Sequence, residues 1–528
     1  MFSSPIFKTS PFCVASPDGL LLAILQQARI VVREITTLQI VHEISIPNDA
    51  ASSAFGLVWA PSSTKVLVAA GDKLLVYSAL DSSFQATVKN PASSSAKPTH
   101  VQFGPTDSEV AVFSHFGLKL ALVNLATSSV VEVTNPKFHQ PPSVSRGISF
   151  RPGSHHLALL TRTNGKDSIS IHLPGSRSVE RAFHPDTVDA QGVLWASKGR
   201  WLIVWESAAH GHKMLMYTPD GHLFNTWAGP PDIGAEAQHF DLGAGVKHFH
   251  MDRLTTKAAV CDYTTTVTIM DLTIGSQMMR LAHPETVTPV DTLQVWLEQE
   301  QQPKNLPVFT RATQAFSPPE RTTFTTAASS SDLASGCFLA DFDCMSGLLA
   351  TVTEAHRSTL WIWDLNSVDL RSVIMFHGIV SNVAWHPLVP ELLLITCTTD
   401  STAPSTVYVW DPLLGGPRPV ASPAQLRKPT TKPGGTAGPK NRAAWISAQT
   451  ELPLLLIHDG ANGLVVAVGD AALDTAVSWG DNSHLSAKVL HGAAPAGPKV
   501  LDVAEMSFAD EEGTVRVDDT FDFKKQKT

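Results

Sequence analysis

Cysteine is scarce in this chain: five among 528 residues, at Cys13, Cys261, Cys337, Cys344 and Cys397. The number is odd and no paired spacing is visible, which excludes a disulfide framework and favours a reducing compartment. Charge is thin as well, with 16% Asp, Glu, Lys and Arg, a formal net charge of -9 and a pI of about 6.1. A surface that holds nucleic acid by neutralising phosphates needs a basic balance, and this chain has the opposite. No stretch reaches the roughly 18 apolar residues of a membrane span. The first apolar run is broken by Ser16, Pro17, Asp18 and Gly19, so neither a signal nor a transit peptide is read there, and no N-x-[ST] acceptor occurs. The expected location is the cytoplasm or nucleus, away from membranes.

Catalytic signatures are missing too. There is no G-x-S-x-G nucleophile elbow, no H-E-x-x-H, no C-x-x-C pair and no P-loop; the Gly- and Lys-containing run at 434–440 lacks the phosphate-loop spacing. The densest titratable group is His239, His248 and His250. The last two share a face if their segment is a strand, but a metal needs a third ligand and a supporting shell, and none is identified. His155 and His156 fall at a turn, and Cys337 and Cys344 read as packing in a degenerate unit. No catalytic residue, cofactor or metal site is assigned.

What is present is a core and a period. Apolar residues make up 43% of the chain and mean hydropathy is +0.04, enough for a large globular core. The first unit runs Phe12 to Ala15, a turn at Ser16–Gly19, then Leu20 to Leu25, Arg29 to Val32 and Leu38 to Ile46. Pro17 presets the turn, Asp18 bonds its own backbone and Gly19 accepts positive φ, so four strands follow one another as hairpins. The turn proline returns at Pro61 after Trp59, Pro105 after Phe103 and Pro152 after Phe150, steps of 44, 44 and 47 residues, and again at Pro387 after Trp385. That is the period of a propeller blade. Degenerate copies at Val193–Trp195, Val246–Phe249, Phe338–Phe342 and Ala444–Ile446 bring the total to about nine. The aromatics before the turns, Trp59, Trp195 and Trp385 among them, are expected to wedge between blades.

Third strands carry the more specific mark. Leu360-Trp361-Ile362-Trp363-Asp364 and Val407-Tyr408-Val409-Trp410-Asp411 both end in the Trp-Asp pair of WD repeats, and a complete repeat reads from 376 to 411. In earlier units the pair decays to Arg33-Glu34, Tyr77-Ser78 or Asn124-Leu125. The expected fold is an all-β WD-type propeller over residues 1–500, either one ring of nine blades or seven blades with two units packed outside. One ring requires the segment near Ile6–Lys8 to pair with Leu464–Val468, because an open ring leaves unpaired edges.

Two insertions and a tail interrupt the period. Residues 292–335, rich in Gln, Pro, Ser and Thr, read as a mobile loop. Residues 413–442 hold six basic residues and no acid: Arg418, Arg427, Lys428, Lys432, Lys440 and Arg442. They form either a solvated linker or a contact for an acidic partner such as a tubulin tail or a phosphate backbone. Residues 501–528 read as a flexible acidic-aromatic tail.

The opening (Phe7, Lys8, Cys13, Ser16 to Gly19, Leu22, Ala23, Arg29, Val31 to Arg33, Thr37 to Ile40) resembles the WD-repeat-containing protein eight family. So does the middle, from Asp186, Thr187, Asp189, Gly192 and Trp195 through Leu202, Val204, Trp205, Lys213, Leu215, Tyr217, Asp220, Gly221 and Leu223. His283-Pro284 and the span Trp361–Trp385 keep that family's order, so the resemblance covers about residues 1–410. It implies a non-catalytic scaffold at the centrosome or spindle pole body that anchors microtubule minus ends and organises the mitotic spindle. The partners it implies are a coiled-coil anchoring protein, a minus-end-directed kinesin and a γ-tubulin-associated assembly. The alternative from the residues is an RNA- or ribosome-associated propeller of translation-initiation type, kept open by the basic insertion. A propeller enzyme is a third class, for which no residue speaks.

Overall fold

The computed structural model describes residues 1–71, 73–89, 100–114, 119–137, 146–230, 245–299, 306–319, 336–398, 405–420 and 442–469. Of the expected elements, His239, Arg427, Lys428, Lys432, Lys440 and the tail 501–528 lie outside these residues.

Strands dominate, and they form nine sheets in chain order. Blades 1 to 9 occupy residues 13–45, 54–89, 100–134, 148–183, 190–227, 248–282, 294–375, 379–419 and 442–467. Apart from two strands added to blade 7, each begins at an inner edge strand and steps outward through antiparallel hairpins. Second and third strands are continuous apolar runs: Lys65–Ala70 is buried from Val66 onward, and Glu109–Phe113 throughout. A blade's middle strands are covered on both faces by neighbouring blades, so an alternating pattern would bury polar groups there. Fourth strands such as Gln85–Lys89 and Val130–Thr134 alternate, because one face meets water.

Nine apolar clusters hold the described ring, one at every junction between consecutive blades. The last joins blade 9 to blade 1, with Ile446, Leu454 and Val465 packed on Cys13, Leu22 and Ile24. Strand pairing closes the ring as well. Phe2–Ser3 pairs with Val466 and Ala467, and Phe7–Lys8 with Gly463 and Asn462, so the amino-terminal segment is the fourth strand of the final blade. Ser4 secures it from both sides: its N–H donates to the Val465 carbonyl (2.8 Å) and its Oγ accepts from the Val465 N–H (2.9 Å). The expected latch is therefore present, in a register that sets Phe7 opposite Gly463. The arrangement of seven blades with two outliers is set aside.

The first turn behaves as its residues predict. Leu20 and Leu21 N–H groups donate to Asp18 Oδ1 and Ser16 Oγ, and Gly19 sits at φ +72° with no room for a Cβ against the backbone of Ala448. Blade 1's turn thus abuts blade 9.

Two expectations about the insertions need correction. Gln294–Glu298 and Phe309–Arg311, inside the segment read as a loop, are strands added to the outer edge of blade 7. Gln294–Glu298 runs parallel to Asp369–Met375, and Val295 and Trp296 are buried. A few apolar residues in a Gln- and Pro-rich segment were enough, because the open edge of blade 7 supplied the missing hydrogen-bond partners. The second insertion is shorter than expected where it is described. Arg418–Pro419 is the fourth strand of blade 8, and Arg442 opens the inner strand of blade 9.

Candidate functional site

The repeat aromatics are fasteners between blades. Trp59, Trp385 and Trp445 each lie at or next to the end of an inner strand and donate the indole N–H to the inner strand of the preceding blade. Their acceptors are the carbonyls of Val14 (2.9 Å), Asp341 (2.9 Å) and Ala384 (2.8 Å). Trp195 fills the junction of blades 4 and 5, with the Arg151 guanidinium 5.1 Å from its ring centre. Trp361 and Trp410 are fully buried, in the junctions on either side of blade 7.

Trp363 begins a relay. Its indole N–H donates to Thr351 Oγ1 (2.9 Å), Thr351 lies 2.8 Å from His283 Nε2, and His283 Nδ1 lies 2.6 Å from the Thr265 carbonyl. A carbonyl only accepts, so Nδ1 carries the proton and Nε2 takes the threonine hydroxyl. Burial pushes the His283 pKa down to about 4, which keeps the ring neutral as that relay requires. The Asp of each Trp-Asp pair caps the following turn: Asp364 Oδ1 accepts from Asn366 N–H and Asp411 Oδ1 from Leu413 N–H, each at 2.8 Å. Asn124 and Asp271 perform the same capping in blades 3 and 6. The motif had drifted less than its letters implied, since Asn124 occupies the Asp position.

Glu298, which sequence reasoning missed, locks the added strands of blade 7 to blade 8. Its carboxylate accepts from the His377 N–H (2.7 Å) and from the Tyr408 hydroxyl (2.8 Å). Burial first, and the bond to Glu298 second, push the tyrosine pKa far up. Only the buried Trp296 and Phe309 beside it in sequence signalled such a role.

His248 and His250 do lie on one strand face, with ring centres 6.2 Å apart. Burial, and after it the nearby positive charge of Arg146, lower both pKa values to about 4. Among the described residues no group of three or more His, Cys, Asp or Glu side chains is placed to hold a metal ion. Cys337 is buried beside Cys261 of blade 6, whose thiol is pushed up by that neighbour and by burial; Cys344 is part-exposed in the next turn.

The described basic residues part company. Arg418 is on the outer strand of blade 8, whereas Arg442 stands at the mouth of a cavity of about 870 Å³ between the inner strands of blades 8, 9 and 1. Arg442 Nη1 donates to the Pro11 carbonyl at 3.3 Å. Asn382, Ser405, His458 and Asp459 also line this space, over an apolar floor that includes Trp445.

No family model matches the chain. It is similar to WD repeat-containing protein WRAP73 of Mus musculus, 25% identical over 434 residues, covering 78% of this chain and 87% of that one. An uncharacterised WD repeat-containing protein of Schizosaccharomyces pombe is 21% identical over 437 residues, covering 80% and 83%. A crystal structure of a eukaryotic initiation factor is similar at a TM-score of 0.48 and 11% identity, over 78% of this chain and 87% of that one. Both relatives are WD repeat-containing proteins and each similarity covers about four fifths of this chain, in keeping with a nine-bladed propeller whose third-strand Trp-Asp pairs are buried at the Trp and cap a turn at the Asp.

Proposed function

We propose that this WD-repeat propeller is a non-catalytic scaffold for protein interactions, working at the spindle pole body or centrosome. There it helps anchor microtubule minus ends and organise the mitotic spindle. Its complex contains a coiled-coil anchoring protein, with a minus-end-directed kinesin and a γ-tubulin-associated assembly as further partners. The observation that carries the scaffold reading is the closed nine-bladed ring itself. Its distinctive aromatics are engaged in packing, which leaves rigid faces of loops and turns as the surfaces offered to other molecules. The cellular setting rests on the family resemblance of residues 7–40 and 186–223.

The test is imaging of the protein, tagged at its native locus, beside γ-tubulin through mitosis, followed by purification of the tagged complex. Focal signal at the poles and a co-purifying coiled-coil protein are expected. Diffuse signal unchanged through division, with ribosomal cosedimentation, would sink the spindle-pole reading and leave the scaffold without its address.

A further inference from the structure

The cavity between blades 8, 9 and 1 gathers several polar side chains with hydrogen-bonding capacity around one open space, and one of them is a buried histidine. His458 is 5% exposed, and its Nδ1 is wholly buried with no hydrogen-bond partner among the described residues. A buried ring nitrogen without a partner is destabilising, and native folds tolerate one where a ligand or water completes it. Among the described residues Asn382 and Ser405, which line the same space, have no side-chain hydrogen-bond partner, and Arg442 has one, the Pro11 carbonyl. The cavity thus offers one cation, an amide, a hydroxyl and an imidazole, each with hydrogen-bonding capacity in hand.

We propose that this cavity binds an extended segment of a partner protein carrying an Asp or Glu side chain, with the carboxylate on Arg442 and the chain lying along the free edge of Arg442–Ile446. That strand ends its sheet, so alternate N–H and C=O groups on its channel side are open to β-addition. A volume of about 870 Å³ accommodates several peptide side chains. The carboxylate of Asp459 lines the same space and disfavours a polyphosphate backbone, whereas a peptide's N–H groups tolerate it. Mixed donors and acceptors around one guanidinium suit a peptide with a single acid better than a nucleic acid. The proposal rests on the scaffold reading and names the chemistry of one partner.

The test uses the full chain as bait for a random peptide phage library, with R442Q as the parallel bait. Enriched peptides, synthesised with a fluorescent label, are then titrated by anisotropy against wild type, R442Q and N382A. The expected result is a shared acidic position and a loss of about tenfold or more in affinity in R442Q. A smaller loss is expected in N382A, with melting temperatures unchanged in both. Equal binding by R442Q and N382A, enrichment of peptides without an acid, or no enrichment at all would overturn the proposal. Binding of a short labelled oligouridylate that is lost in R442Q would overturn it in favour of nucleic acid. If the peptides fail while tagged protein still co-purifies partners, the cavity is refuted and the scaffold reading stands.

Discussion

Blade 7 and blade 9 stand at opposite extremes of the ring. Blade 7 has six strands, the Trp363–Thr351–His283 relay, and Trp361 and Trp363 packed against blade 6. Blade 9 has three strands of its own, borrows its outer strand from residues 2–8, and faces an open cavity lined in part by polar side chains. The contrast teaches where a repeat architecture keeps its sequence signature. Blade 7 keeps the Trp-Asp pair and uses its Trp363 in a buried hydrogen-bond relay, whereas blade 9 lacks the pair and is held by strand pairing to a distant segment.

The largest break in that comparison comes from deleting residues 1–10. Blade 9 would lose its fourth strand and Phe7, which packs on Gly463, and the ring would open at one junction. Loss of several kcal/mol is expected, visible as a steep fall in melting temperature or as aggregation through the exposed edge. An unchanged melting curve would show that the junction of blades 9 and 1 holds without its latch.

Next comes Trp361→Ala at the strong end. The side chain is fully buried between blades 6 and 7, so the substitution should cost about 3 to 5 kcal/mol in chemical denaturation. A loss below that of Trp445→Ala, at the weak end, would reverse the ranking of the two blades.

Acid should reach both ends. His283, His386 and His458 are each held by burial near a pKa of about 4, below the ordinary 6.5. His386 shows why protonation hurts, since its Nδ1 accepts the N–H groups of Leu388 (3.1 Å) and Val389 (2.8 Å). A depressed pKa means that the unfolded chain binds more protons, so the stability these rings contribute is present above about 6.5 and is lost as pH falls toward about 4. The loss is at most roughly 3 kcal/mol for each ring. Thermal melts across that window should show the decline, and His283→Gln should flatten it; a variant with the wild-type slope would clear His283 of the effect.

Smallest is Glu298→Ala. It removes the acceptor for His377 N–H and the Tyr408 hydroxyl, and about 1 to 3 kcal/mol should be lost. The same variant should raise hydrogen exchange in residues 294–298. Unaltered exchange there would show that the parallel strand pairing alone holds the added strands.

The period of turn prolines, the continuous apolar middle strands and the two Trp-Asp pairs were legible because each is a local rule. A turn needs its residues, and a strand covered on both faces needs apolar ones. Legible too was the latch, since nine units in one ring leave a single place for the first strand. Glu298 was not, because its carboxylate matters only once a parallel strand carries it beside Tyr408. The cavity was hidden for the same reason: Arg442 read as one charge in a basic run, and nothing in the letters set it beside Asn382 and His458.

The sequence by itself determined the number of repeat units, the four-strand pattern of the unit and most of the residues that fill the junctions, because these follow from periodicity and burial along the chain. Only the tertiary structure decided which distant groups meet. The bidentate pair of Glu109 and Arg177, at 2.7 and 3.0 Å between blades 3 and 4, is one such meeting. The open polar junction of blades 8, 9 and 1 is another. The reason is that a side chain's partners across a blade junction depend on the rotation between sheets, which no local pattern of residues encodes.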